Sequence, residues 1–360
     1  MTKGTSCEEK HASVKKKFLW TFVFIAIAAL TIYAITSQNK DFSFKTFVSF
    51  LSGVKSGWLI LAVVGMLGFI FFEAWALLVI CKAFGHKQRL SKGLSYAYGD
   101  IYFSAITPSA SGGQPASAFF MLKDGIPSSV VTVALIINLL MYGVAILVVG
   151  LISFVMSPMV FFNFSILSKI LIIAGAVVLI LLSVLFIILL KKDALLHSIC
   201  DKILCLLAKI HLIRKLDKKR AKLARWIDSY RECAAALHGK HKMLLKVLAL
   251  NVLQRLSLIS VTVFAYLACG GTASQVVNVL VIQSMVTLGS NCIPIPGAMG
   301  VADYLLLDGL DGIVGSSVAV NLELLARTVS FYLCVILCGL AMFGRILFDK
   351  FRKKSDLLEP

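Results

Sequence analysis

Thr107–Pro115 reads TPSASGGQP and sits inside the semi-apolar run Tyr96–Leu122. Two prolines, two adjacent glycines and three hydroxyl-bearing side chains within nine residues cannot continue a helix: proline removes a backbone donor and glycine loosens the chain. Yet Ile101–Ile106 leads in and Ala116–Leu122 leads out, both largely apolar. A plain surface loop seldom carries such shoulders. Broken backbone at membrane depth is tolerated where protein or a wet cavity satisfies its polar groups. The stretch therefore predicts a re-entrant hairpin, spanning residues 104–122, that lines a site.

Working outward, 59% of the residues are hydrophobic and 15% charged, and several apolar runs are long enough to cross a hydrocarbon core of about 30 Å. The expected spans are Phe18–Thr36, Trp58–Phe84, Ser128–Met156, Ser168–Leu190, Met243–Cys269 and Ile313–Phe343. The fold class is thus an all-α polytopic membrane protein with about six transmembrane helices. The net charge of +18 falls between the apolar runs, so anionic lipid headgroups, and not nucleic acid, are the expected counter-charge. The nine cysteines are scattered with no CxxC pair and read as packing residues. No small-residue cleavage signature follows Lys15–Lys17, so Phe18–Thr36 reads as a retained anchor.

Basic residues collect on the cytoplasmic side of a membrane. With the N-terminus inside, segments 1–17, 81–95, 191–242 and 345–360 hold 28 lysines and arginines, against 4 in segments 37–57, 157–169 and 270–275. This asymmetry puts the basic N-terminus 1–17, the segment 191–242 and the tail 346–360 in the cytoplasm, around a membrane domain at 18–345. In the cytoplasmic segment Leu216, Leu223, Ile227, Tyr230, Ala234 and Leu237 recur at helical spacing, with lysines and arginines on the other faces. Both a helix lying on the inner leaflet and a cytosolic hairpin packed on itself fit that pattern.

The halves 18–157 and 158–345 each run helix, helix, broken stretch, helix, from opposite sides of the membrane. The second broken stretch, Val276–Leu310, contains CIPIPGAMG at Cys292–Gly300. Interrupted segments at corresponding positions of inverted halves point to a transporter's substrate site, and the chain is read as an inverted pseudo-repeat with two re-entrant broken hairpins.

Charged residues inside spans cost on the order of 3 kcal/mol each at mid-bilayer and therefore need a role. They are Glu73, Arg255, Glu323 and Arg327. Glu323 and Arg327 stand i, i+4 with the acid first, the favourable order for an intrahelical pair. Arg255 shares a polar stripe with Asn251 and Gln254. Glu73 has no partner nearby in sequence; accepting a proton, pairing with an arginine from another helix and contacting a cationic headgroup are all open to it. Guanidinium recognises phosphodiesters through paired donors, so Arg255 and Arg327 are candidate headgroup ligands, with Glu73 and Glu323 as possible charge partners. Neither GxxxxGK[ST] nor GxSxG occurs, which excludes the usual ATPase and hydrolase signatures. His238 and His241 read as exposed residues near a helix end, and no metal or cofactor is expected.

SAITPSASGGQP at Ser104–Pro115, NCIPIPGAMGVAD at Asn291–Asp303 and LARTVSFYLCVILCG at Leu325–Gly339 resemble the three signature stretches of the lysylphosphatidylglycerol synthase transmembrane, flippase-like family, over about residues 15–345. The resemblance implies a membrane half that moves aminoacylated phosphatidylglycerol, or a related anionic lipid, between leaflets, without the C-terminal synthase domain of longer members. It also implies membrane phospholipid as partner, a separate lipid-modifying enzyme as a further one, and a place in the plasma membrane. Two other roles fit such a chain: a component of a phosphatidylglycerol lysyltransferase system that supports resistance to cationic antimicrobial peptides, and a non-transporting cell-envelope scaffold. The family often has a second glycine where Ala298 stands and an Arg-Glu pair where Ala302 and Asp303 stand. Candidate substrate-binding residues are Pro108, Ser109, Gly112, Gly113, Gln114, Pro115, Arg255, Pro294, Pro296, Gly297, Asp303 and Arg327.

The charge asymmetry is directly testable. In sealed cells an impermeant thiol reagent is expected to label Ser49→Cys and to leave Ser229→Cys unlabelled until the membrane is opened; labelling of Ser229→Cys from outside would reverse the topology.

Overall fold

A computed structural model of the chain describes residues 53–107, 110–191, 216–237, 239–291, 298 and 300–355. The expected span Phe18–Thr36 lies outside them, as do Pro108, Ser109, Pro294, Pro296, Gly297 and residues 192–215 of the cytoplasmic segment. The chain divides into units Met1–Val54 and Lys55–Pro360, and the helices below belong to the second.

Every regular element among the described residues is helical: α1 Ser56–Ala83, α2 Leu90–Ile106, α3 Gly113–Lys123, α4 Ser128–Met156, α5 Pro158–Asn163, α6 Ile166–Lys191, α7 Leu216–Ala235, α8 His241–Ala268, α9 Val276–Ser290, α10 Val301–Leu310, α11 Ser316–Arg327 and α12 Cys334–Ser355. Thr328–Leu333 is a π-helical turn that joins α11 to α12. Six of the described segments are long and apolar enough to cross a membrane: Ser56–Ala83, Ser128–Met156, Ile166–Leu190, His241–Ala268, Ala273–Ser290 and Val318–Ile346. Five match expected spans to within a few residues, Ser128–Met156 at both ends. Ala273–Ser290 is new. The sequence places most of it within a broken stretch, but α9 runs unbroken from Val276 to Ser290, and two of its hydroxyls bond back along it, Ser284 to the Leu280 carbonyl (2.8 Å) and Thr287 to that of Gln283 (2.8 Å). Regular helix ends at Ser290 and resumes at Val301.

The exterior is what a lipid solvent requires. Along α6, Ile166, Ile170, Ile173, Val177 and Leu181 are exposed at three- and four-residue intervals, Ile166 at 77% and Leu181 at 62%. A soluble protein would not present such a stripe to water. Helix contacts use small residues instead, because lipid supplies no hydrophobic drive between helices. The most extensive pair is α1 with α8. A methyl on Gly65 would fall 2.7 Å from the Ser260 hydroxyl and 2.9 Å from the Ser257 carbonyl, so this crossing depends on having no side chain there.

The packing repeats. α1 packs on α2 as α8 does on α9; α2 pairs with α3 as α9 does with α10; α1 meets α4 as α8 meets α11; and α4 meets α9 as α12 meets α2. Exchanging the two halves maps this set of contacts onto itself, with the α1–α8 pair at its centre. The broken segments are thus two helix–break–helix hairpins in equivalent places. Each break carries one alanine in the left-handed region, Ala110 at φ 52° and Ala298 at φ 50°. That conformation costs an L-residue about 1 kcal/mol and suits glycine, which explains a glycine preference at the position of Ala298.

α7 binds protein. Ile227 and Tyr230 are buried, the Tyr230 hydroxyl donates to the Leu189 carbonyl of α6 at 2.9 Å, and Cys233 meets Ser129 of α4 at 3.9 Å. Ile227 and Tyr230 of this basic helix are therefore covered at the ends of two spans.

At Gly175 of α6 an added methyl would run into the carbonyl of Leu288 on α9, backbone against backbone. Gly175→Val is expected to destabilise by at least about 3 kcal/mol, the upper end for overpacking, and to lower the detergent melting temperature. Gly344→Ala, with open space around it, is expected to melt like the parent.

Candidate functional site

The first hairpin is closed by its own side chains. Thr107 Oγ1 donates to the Phe103 carbonyl at 2.6 Å and accepts the Gly112 N–H at 2.9 Å, while the Ala110 N–H reaches the Thr107 carbonyl at 3.2 Å. These bonds meet the requirement for satisfied backbone at membrane depth. Pro115 falls in the first turn of α3, where its missing donor costs nothing. The paired glycines exist for proximity. A methyl on Gly113 would collide with the Asp100 carboxyl and the Ser104 hydroxyl, and one on Gly112 would fall 2.7 Å from Thr107 Cγ2. α3 therefore begins directly against α2, at Asp100.

Asp100 is the entrance to a buried polar cluster. Ser104 Oγ donates to Asp100 Oδ1 at 3.2 Å, and Gln114 Nε2 to Oδ1 and Oδ2 at 3.3 and 3.2 Å. The Asp100 carboxyl also contacts that of Glu73 on α1. Glu73 is 3% exposed and accepts two more bonds, from Asn138 Nδ2 of α4 to Oε1 at 2.7 Å and from Gln254 Nε2 of α8 to Oε2 at 2.6 Å. Asn251 Nδ2 extends the chain to Asn138 Oδ1 at 3.4 Å and to the Val247 carbonyl at 3.0 Å. Glu73 thereby ties α1, α4 and α8 to the hairpin.

Arg255 flanks this cluster within electrostatic reach of Glu73. It is 5% exposed, with its guanidinium carbon 5.0 Å from the Phe69 ring centre and 4.5 Å from that of Tyr142. Two aromatic faces hold the cation by its plane, so its N–H edge is what remains for hydrogen bonding. Nε has no hydrogen-bond partner among the described residues, and neither do Gln114 Oε1, Gln254 Oε1 or Asn251 Oδ1. Buried polar atoms without protein partners are costly.

The second hairpin gathers the other candidates into an ion-pair knot. Arg327 Nε meets Glu323 Oε1 at 3.3 Å, the i, i+4 pair expected from the sequence, and its Nη2 meets Asp303 Oδ1. Asp303 Oδ2 accepts the Gly300 N–H at 2.8 Å and so caps α10. One carboxylate fixes the start of α10 and binds it to α11. The structure thus brings Gly112, Gly113, Gln114, Glu73 and Arg255 around one cluster and Asp303, Glu323 and Arg327 around another.

Sequence reasoning missed Asp100 and Asn138, although each is a lone polar residue in an apolar stretch, the same signal that exposed Glu73. It also missed Asp124. Arg345 Nη2 donates to both Asp124 oxygens at 2.8 and 2.9 Å, the Tyr96 hydroxyl donates to Oδ2 at 2.8 Å, and Lys92 lies 3.6 Å from Oδ1. This cluster joins α2, α3 and α12 across 221 residues of sequence, a separation no local pattern reports.

A model of the family described as the lysylphosphatidylglycerol synthase TM region matches residues 18–338, so the resemblance carried by the three motifs is borne out. No curated protein matches the chain.

Because Arg327 serves two carboxylates, Arg327→Gln is expected to leave a partly buried acid unpaired and to cost about 3 kcal/mol. A fall in detergent melting temperature that is reversed in the double variant Glu323→Gln/Arg327→Gln would be the signature; an unchanged melting temperature would show that the pair contributes nothing.

Proposed function

The chain belongs to the lysylphosphatidylglycerol synthase transmembrane family, and on that premise we propose that it moves a phosphodiester-bearing phospholipid, phosphatidylglycerol or an aminoacylated derivative, between the leaflets of the cell membrane. The observation that carries the reading is Arg255, a multiply donating cation kept inside a bundle of apolar helices, clasped by Phe69 and Tyr142, with a buried Nε left unpartnered. Retaining a guanidinium at that depth is expensive unless it binds something, and a phosphodiester matches its N–H edge. Arg327 differs, since Glu323 and Asp303 already engage it. In this reading Arg255 takes the headgroup phosphate and Arg327 holds the second hairpin together.

The hairpins α2–α3 and α9–α10 act as re-entrant elements that enter and leave on one face, and their rocking against the central α1–α8 pair exposes Arg255 to each leaflet in turn. Both termini and α7 face the cytoplasm, in keeping with the basic-residue asymmetry. A separate lipid-modifying enzyme supplies the aminoacylated lipid, and moving that lipid outward lowers the negative charge of the outer surface, which weakens attraction of cationic antimicrobial peptides.

In vesicles containing the purified protein, Arg255→Gln is expected to slow redistribution of labelled phosphatidylglycerol at least tenfold, and Arg255→Lys, which keeps the charge but loses the planar fork, to fall between Gln and parent. If Arg255→Gln melts as the parent does and redistributes lipid at the parental rate, Arg255 is not the headgroup ligand.

A further inference from the structure

We propose that Glu73 and Asp100 form a proton-binding pair, and that the site takes up one proton for each anionic lipid phosphate that Arg255 binds. This inference rests on the lipid-translocation reading and names the ion that accompanies the lipid.

Geometry sets up the charge balance. The two carboxyls touch across α1 and α2, and carboxyls in contact in a water-poor site keep a proton between them because both cannot be ionised together. Two amides stabilise the remaining charge on Glu73, at 2.7 Å from Asn138 and 2.6 Å from Gln254. The charged and titratable groups facing the pair from the surrounding elements are Arg255 of α8 and, beyond it, Tyr142 of α4; α3 presents the amide of Gln114. With one proton on the pair, its single negative charge balances Arg255. When a phosphodiester arrives at Arg255, the site carries one excess negative charge where the dielectric is low, and uptake of a second proton by the carboxyl pair restores neutrality. Loss of the lipid releases that proton.

The path is built in as well. Asp100 is only half-buried while Glu73 behind it is 3% exposed, so protons reach Glu73 through Asp100. Asp100 lies where α3 starts, tied to Gln114 of the hairpin. Gln254 Oε1, on a side chain 2% exposed, and Arg255 Nε have no hydrogen-bond partner among the described residues, and a proton donor for the first and a phosphate oxygen for the second would match them.

The test uses the full-length protein in phosphatidylglycerol-containing vesicles. Coupling of one proton to one singly charged lipid is electroneutral, so an imposed pH difference of about one unit should bias labelled phosphatidylglycerol between leaflets up to about tenfold, since one pH unit is worth about 1.4 kcal/mol. A potassium diffusion potential should not bias it. Asp100→Asn keeps the main hydrogen bonds, because the asparagine carbonyl can still accept from Ser104 and Gln114 and its amide can donate to Glu73, while the second bond from Gln114 is lost; it cannot exchange a proton, and its lipid distribution should ignore the pH difference. A second arm needs no transport. Hydrophobic carbodiimides modify protonated carboxyls in membranes, so at neutral pH the parent should be modified at Glu73 or Asp100, the ion-paired Asp124 should be spared, and Asp100→Asn should leave Glu73 unmodified. A distribution that follows potential and not pH, or a parent in which neither acid reacts, overturns the proposal. If no lipid moves under any condition while the carbodiimide result holds, the translocation reading and the lipid coupling fail and the proton pair stands.

Discussion

Glu73 holds a carboxyl inside a helical bundle, and the elements around it are arranged to satisfy that group. Hydrocarbon offers no hydrogen bonds, so each partner must come from the protein. Asn138 and Gln254 supply two, and Asp100 lies against the third side. Their helices, α4, α8 and α2, are therefore held to α1 by specific directional contacts and not only by packing. Arg255 completes the cluster as the nearest cation. A bundle of this composition without Glu73 would still bury its apolar residues, but nothing in the described cluster would fix how the first hairpin meets the central helices.

Glycine makes that arrangement possible in a second way. Gly113 lets α3 start against Asp100, Gly65 lets α1 reach Ser257 and Ser260 of α8, and Gly175 lets α6 touch the backbone of α9. In each case a side chain would occupy the space through which a polar or backbone contact is made. The same sites that break or narrow the helices therefore position the chemistry. Local groups satisfy the ends of the breaks: Thr107 bonds to Phe103 and Gly112 at the first, and the N-cap bond from Gly300 to Asp303 starts α10 at the second.

The two hairpins occupy equivalent places, and each is met by two carboxyls and one arginine that are engaged differently. The first presents an acid pair beside an aromatic-clasped arginine; in the second, Arg327 pairs directly with both Glu323 and Asp303. The π-helical turn that begins at Thr328 follows the knot directly, and such turns accommodate a local widening of the helix at functional positions.

The sequence by itself determined the membrane class, the positions of the spans it shares with the structure, the places where helices break and the i, i+4 pairing of Glu323 with Arg327. All of these are local: apolar length, proline and glycine content, and spacing along one helix are written in consecutive residues. It left open what Glu73 meets, and it missed Asp100, Asn138 and Asp124, because a lone polar residue in an apolar run announces a partner without naming it. Only the tertiary structure decided that Asp303 belongs to Arg327 and Glu73 to the cluster beside Arg255. It also decided that α7 docks on protein and that Ala273–Ser290 is long enough to cross the membrane. The reason is physical. A buried charge is satisfied by whatever group the packing of distant helices brings within hydrogen-bond range, and that proximity depends on close approaches at glycines such as Gly65, Gly113 and Gly175, whose partners no pattern along the chain encodes.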